Sequence, residues 1–299
     1  MDCPRCAFVH TATFEECPKC GVVVSKYLRG AAVDPAAPSR LPGASVQADL
    51  ERAEADRDRL RVELRARALA IVLALGFAWL AVRASPGAVR MIAMWVHETG
   101  HAAAAWACGY PAWPGPWFTP VGDERSLLLT LLIAGALGYG AWRAWAIARW
   151  FWVAAAVAAL GLVTVCTFVL HAGQARQLIV FSGDGGSLLI GTLLMMTVFA
   201  REESAVRRDR LRWGLVAIGA LAFMDAYATW AGGIAAVPFG AGDHGLSDPS
   251  VLAEEFGWSV LQLMRRYLQI AHACLAALAV AAMLHIVLPA LALVERATR

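Results

Sequence analysis

The sequence predicts an all-α polytopic membrane protein of about six to seven membrane segments, with a small Cys₄ zinc-ribbon module at its N-terminus. Three observations predict it. The 299 residues are 59% hydrophobic and only 16% charged, with a mean hydropathy of +0.57, which is a membrane composition. Apolar runs recur along most of the chain, many of them close to the roughly 20 residues that a helical span needs. Four of the seven cysteines fall in the first twenty residues, as Cys3-x2-Cys6 and Cys17-x2-Cys20.

Residues 1–28 form the cysteine module. Paired CxxC spacing suits a tetrahedral zinc site better than disulfides. So short a segment cannot build a core, so the metal supplies its folding energy. A redox CxxC pair is the competing reading. Zinc-bound thiolates need a reducing compartment, which predicts a cytoplasmic N-terminus. The chain opens without an apolar signal-peptide region. Cys108, Cys166 and Cys274 lie singly in apolar runs and read as small core residues.

Residues 29–45, rich in Pro, Ala, Gly and Ser, read as a linker. Residues 46–67 read as a charged, solvated helix with a thin stripe of Leu50, Leu60 and Leu64. The membrane domain follows over 68–299, with apolar segments at 68–82, 88–108, 127–141, 150–170, 178–200, 213–237 and 267–294. Trp142, Trp145, Trp150, Trp152, Trp213 and Trp258 lie near segment ends, as an aromatic belt requires. The five arginines of 201–212, and Arg296 and Arg299, predict cytoplasmic positions. An odd number of spans between the N-terminus and that loop conflicts with this, so one segment is expected not to cross. By length, 68–82 and 127–141 are the candidates. The expected location is a bacterial inner membrane. The net charge of +3 gives no case for nucleic-acid binding.

The chemistry centres on His97-Glu98-Thr99-Gly100-His101, an HExxH motif within an apolar run. Histidines four apart share one helix face, so both imidazoles can reach one Zn²⁺. Glu98 is placed to take a proton from water. Ionisable groups at membrane depth are costly and mark function.

A zinc hydrolase needs a third protein ligand, and several residues are candidates. Asp184 lies in Gly183-Asp184-Gly185-Gly186, where glycines permit close backbone approach or a broken helix. Asp243, His244 and Asp248 cluster in a later loop, which also reads as a polar turn with a helix cap before Pro249. Asp225 reads as a supporting or proton-path group. His171, His272 and His285 read as hydrogen-bonded helix residues. The Pro- and aromatic-rich stretch 109–120 cannot be a helix. It reads either as an interfacial loop or as an extended segment that pairs with an unwound substrate.

HExGH in an apolar helix followed by Asp-Gly-Gly resembles the site-2 protease (M50) family of intramembrane zinc metalloproteases. The resemblance covers about residues 88–200. It implies His97 and His101 as zinc ligands, Glu98 as general base and Asp184 as third ligand. The family's Asn or Leu with Pro before Asp-Gly is absent here, and no PDZ-like insert is present. Ser247-Asp248 resembles a Ser-Asp motif in a late loop of divergent members. The implied activity is cleavage of membrane-embedded or juxtamembrane protein segments, with one catalytic and one structural Zn²⁺. The implied partners are a membrane protein substrate and the lipid bilayer, and the zinc ribbon is placed to recruit a cytoplasmic partner. An inactive relative that binds client proteins is the alternative. A metal-bearing transporter is disfavoured, since no inverted repeat is evident.

Overall fold

The computed structural model describes residues 2–3, 5–6, 8–9, 14–31, 42–200, 204–242 and 245–291. The chain divides into two compact units, Met1–Leu60 and Arg61–Arg299.

The first unit begins with two matching cysteine turns. The Cys3 N–H donates to Phe8 O at 3.0 Å, and the Cys17 N–H donates to Val22 O at 2.9 Å. Isolated antiparallel bridges, Asp2 with Val9 and Glu16 with Val23, close each turn. Gly21 follows the second pair at φ +68°, the left-handed region that glycine enters without a steric penalty. Helix α1, Val24–Ala31, follows. Most of the expected linker, residues 32–41, lies outside the described residues.

Helix α2 is long, Pro42–Ala84. The charged helix expected at 46–67 and the apolar segment expected at 68–82 are therefore one uninterrupted helix. Nothing between them breaks it: neither Pro nor Gly interrupts the run from Ala44 to Leu75.

In the second unit, α3 spans Pro86–Ala107, with its proline in the first turn, where no N–H is needed. Helices α4 (Leu127–Ala146) and α5 (Trp150–Phe168) form a hairpin whose surfaces remain largely exposed. Trp142, Trp145, Trp150 and Trp152 are exposed at its tip. Helix α6 (Ala172–Met196) packs against α3 and α8 (Leu211–Ala231), after the short α7 (Ala205–Arg208). Gly191 and Gly219 meet at the α6–α8 crossing, where a Cβ on either would strike the other's carbonyl oxygen. A two-stranded hairpin, Ala241–Gly242 with Gly245–Leu246, precedes α9 (Asp248–Glu254). Helix α10 (Val260–Ala282) closes the bundle and runs into a π-helical turn, Met283–Val287. The largest core cluster joins Leu188, Phe223, Trp230, Leu263 and Tyr267.

Among the described residues, six helices are long and apolar enough to cross a membrane: 54–84, 127–146, 150–168, 172–199, 211–231 and 260–291. Both segments expected to fall short, 68–82 and 127–141, lie inside helices that qualify, because each helix extends beyond its apolar run. The long helix that does not qualify is α3, which carries the HExxH residues. Its polar groups lower its hydropathy, and its neighbours bury them.

Two arginines of the 201–212 region are ion-paired. Glu63 lies 2.7 Å from Arg212, 3.3 Å from Arg207 and 3.0 Å from Arg67. The segments that carry Arg296 and Arg299 lie outside the described residues.

Candidate metal centres

Arg90, Met94, His97, Glu98 and His101 recur at helical spacing along α3 and line one cleft. His97, Glu98 and His101 are all buried, at 7%, 3% and 9% exposure. Helix α6 makes this possible by close approach. A Cβ at Gly100 would collide with the backbone of Ser182 and Gly186, so the two helices meet backbone to backbone. Helix α6 continues through Gly183-Asp184-Gly185-Gly186 without a break. Gly186 there serves helix contact, and none of the three glycines interrupts the helix.

Each imidazole is oriented through its Nδ1. His97 Nδ1 lies 3.0 Å from Asp184 Oδ1, and His101 Nδ1 lies 2.7 Å from the carbonyl oxygen of Ile179. An N–H at each Nδ1 satisfies these acceptors and leaves both Nε2 lone pairs directed inward. The two Nε2 atoms lie 3.2 Å apart. Asp248 Oδ2 lies 3.1 Å from each of them. Three donor atoms on one tetrahedral metal, each about 2.0–2.1 Å from it, lie roughly 3.3 Å apart. The His97–His101–Asp248 triangle fits that spacing. Gly183 supplies the room: its Cβ would sit 2.5 Å from His97 Nε2 and 2.6 Å from His101 Nε2.

Asp184 does not stand at the Nε2 corner expected of a third ligand. It lies behind His97, and its second oxygen, Oδ2, accepts a hydrogen bond from Trp230 Nε1 at 2.8 Å. Both oxygens are thus engaged away from the triangle. Trp230 is itself held by stacking on Tyr267, with ring centroids 4.1 Å apart, and Tyr267 stacks on Phe181.

Asp248 reaches the site because α9 begins there. Ser247 is the N-cap and Pro249 occupies the first turn, so a carboxylate at this helix start is also favoured by the helix dipole. Buried Leu252 and the Gly240 N–H bond to Ser250 Oγ (2.8 Å) anchor this turn. The late loop is therefore both a helix cap and part of the site. Asp243 and His244 lie outside the described residues.

The 109–120 stretch is non-helical, as its prolines require, and forms a short ribbon. Ala112 bridges to Val121, and the Gly122 N–H donates to Pro111 O at 2.8 Å. Its Thr119 hydroxyl lies 2.8 Å from Glu98 Oε2 and 2.9 Å from Glu98 O. Neither Thr119 nor Trp230 stands out in the sequence. A threonine beside a proline and a tryptophan at a segment end are common in interfacial loops and belts, so no local signal distinguishes them.

Asp225 is not in the triangle. Its Oδ2 accepts from Arg90 Nη1 at 2.8 Å. His272 sits at the edge of Tyr227 and His285 stacks on Phe199. His171 caps α6.

The second cluster is the cysteine module. Cys3 Sγ lies 3.7 Å from Cys20 Sγ, and Cys6 Sγ lies 3.9 Å from Cys17 Sγ. None of the four is in a disulfide. Sulfurs about 2.3 Å from a tetrahedral zinc lie roughly 3.8 Å apart. Desolvation opposes ionisation of Cys3, but hydrogen bonds from the peptide groups of Arg5 and Cys6 and from the Cys17 and Cys6 thiols together bring its thiol down to about 6. The four cysteines, and likewise His97, Glu98 and His101, bring ligand atoms within 4.8 Å of one another, so both clusters are compatible with a bound metal ion.

The chain matches no protein-family model, no curated protein and no solved structure.

Proposed function

We propose that this chain is an intramembrane zinc endopeptidase that cuts a membrane-embedded or juxtamembrane segment of another protein. The observation that carries this reading is the convergence of His97 Nε2, His101 Nε2 and Asp248 Oδ2 at 3.1–3.2 Å, with Glu98 in the same cleft. In this reading His97, His101 and Asp248 hold the ion, and Asp184 supports His97 from behind. A zinc ion there supplies Lewis-acid polarisation of a peptide carbonyl and lowers the pKa of water.

The protein's own residues do the rest. Glu98 accepts the proton of the attacking water and returns it to the departing amine. Asp184 and the Ile179 carbonyl fix both ring tautomers. The cleft has a volume of about 570 Å³ and is walled by Trp117, Phe118, Thr119 and Val121 of the ribbon and by residues 238–241 and 245–249. That is room for a few residues of a peptide chain. In this reading a membrane-spanning substrate unwinds locally, which frees a peptide carbonyl from the hydrogen bond that it makes inside a helix. Exposed Trp117, Phe118, Phe239 and Leu246 give the cleft mouth an apolar rim suited to a lipid-embedded segment. The four-cysteine module is, in this reading, a structural zinc ribbon that displays a surface to a cytoplasmic partner.

The test is Glu98-dependent proteolysis. The full-length protein and Glu98→Gln are reconstituted in lipid nanodiscs with a solubilised membrane proteome, and new N-termini are labelled and sequenced. New termini within apolar segments are expected with the wild type and absent with the variant. Zinc bound at full occupancy with no Glu98-dependent terminus would remove the protease reading and leave a client-binding protein.

A further inference from the structure

We propose that Thr119 is a positioning residue for Glu98, and that through it the 111–122 ribbon forms part of the catalytic apparatus. This rests on the metalloprotease reading above. The Thr119 hydroxyl is within hydrogen-bond distance of both the side-chain Oε2 and the main-chain oxygen of one residue, Glu98, at 2.8 and 2.9 Å. A hydroxyl has one proton, so it donates to one of these at a time. The Glu98 main-chain oxygen already has a helical partner available four residues on. The carboxylate has none within its own helix, and it is buried, so the hydroxyl satisfies an otherwise costly oxygen.

Three consequences follow for the chemistry. The bond holds Glu98 Oε2 toward the ribbon, which leaves Oε1 to face water in the cleft. It removes side-chain freedom from a glutamate, which otherwise has three rotatable bonds. It also ties the base to a segment outside α3. The ribbon is closed by the Ala112–Val121 bridge and by the Trp113 N–H donating to Pro120 O at 3.2 Å. Prolines at 111, 114, 116 and 120 stiffen it. Thr119 thus sits on a rigid support, as a positioning residue requires.

Acetohydroxamate is a suitable probe. It chelates a zinc ion through two oxygens and passes its acidic proton to an adjacent carboxylate, so its affinity reads the placement of Glu98 without needing a substrate. Binding is measured by calorimetry on the zinc-loaded full chain, with His101→Ala as the blank for the Cys₄ module. Thr119→Val, which keeps the shape and removes the donor, is expected to weaken binding roughly 10-fold at unchanged zinc content. Thr119→Ser is expected to restore binding to near the wild-type value. In a Glu98→Gln background, Thr119→Val is expected to cost nothing further, because its effect runs through the carboxylate.

Wild-type affinity in Thr119→Val, or an undiminished loss on top of Glu98→Gln, overturns the proposal and leaves the metal-site reading standing. Equal binding to wild type and His101→Ala overturns the metal-site reading, and the proposal falls with it. If Thr119→Val loses zinc, Thr119→Ala decides: zinc lost there too shows a purely structural role and overturns the proposal.

Discussion

Asp248 places its Oδ2 3.1 Å from His97 Nε2 across 151 positions of sequence. Asp184, the nearer aspartate in sequence, faces the other nitrogen of the same ring. One imidazole is therefore gripped from both sides by carboxylates with different tasks. The Nδ1 side fixes the tautomer, and the Nε2 side is where a metal would be held.

This division predicts how the two aspartates differ. Asp248→Ala removes a donor from the triangle and is expected to lower zinc affinity of the membrane unit by orders of magnitude. Asp184→Ala leaves the triangle intact and is expected to cost about 10–100-fold. Competition with a chelator of known affinity measures both, with Cys17→Ser/Cys20→Ser as the background so that one metal remains. Equal losses, or the reverse order, would return Asp184 to the third corner.

The HExxH helix was legible because its information is local. Spacing of four residues sets the geometry of His97 and His101 without reference to the rest of the chain. The cysteine turns were legible for the same reason. The third corner was not, because Gly-Asp-Gly-Gly has two physical uses. It can open a helix for ligation, or it can let two helices touch. The second use holds at Gly100 and Gly186, and it turns Asp184 toward Nδ1. Asp248 was legible as a candidate, through the resemblance of Ser247-Asp248 to a late-loop motif, but it lay in a polar loop, where acids are common. What selects it is the start of α9, a tertiary placement with a weak sequence signal in Ser247 and Pro249. The expectation that 68–82 or 127–141 would be too short failed for a simpler reason. Each apolar run covers only part of its helix, which continues past one end of the run, through Arg67 and Glu63 in α2 and on to Ala146 in α4.

Gly183 offers a sharper test of the cradle. A methyl group there would lie 2.5–2.6 Å from the Nε2 atoms of both histidines, in the space the ion needs. Gly183→Ala is expected to abolish zinc binding in the membrane unit while the protein remains helical. Gly185→Ala is the control. Its nearest neighbour would be Phe181 at 3.5 Å, an ordinary contact, so zinc binding is expected to persist. Metal analysis together with circular dichroism separates ligand loss from unfolding.

The cysteine module makes a separate prediction. With so few residues, its fold depends on metal rather than on a core. Cys17→Ser/Cys20→Ser is expected to remove one zinc per chain. The backbone amides of residues 14–23 are then expected to exchange freely with solvent. Exchange within α6 and α8 is expected to stay unchanged, since the contacts that protect them lie in the second unit. Mass spectrometry of hydrogen exchange reads both regions in one experiment. Loss of protection in α6 would show that the module stabilises the membrane unit.

Trp230 allows the role of Asp184 to be probed without touching a carboxylate. Its indole N–H donates to Asp184 Oδ2 at 2.8 Å, while its ring stacks on Tyr267. Trp230→Phe preserves most of the stack and removes only the donor. A buried carboxylate oxygen left without its partner costs about 1–3 kcal/mol. Asp184 can relieve that cost by rotating toward another donor, which loosens its hold on His97 Nδ1. The expected result is zinc affinity reduced by roughly 5- to 50-fold, less than or equal to the effect of Asp184→Ala. Combining the two is expected to add little, because the indole acts through the carboxylate. Trp230→Phe with wild-type affinity would show that the backbone of α6 alone orients Asp184. A loss that adds fully to that of Asp184→Ala would show that Trp230 shapes the site by packing instead.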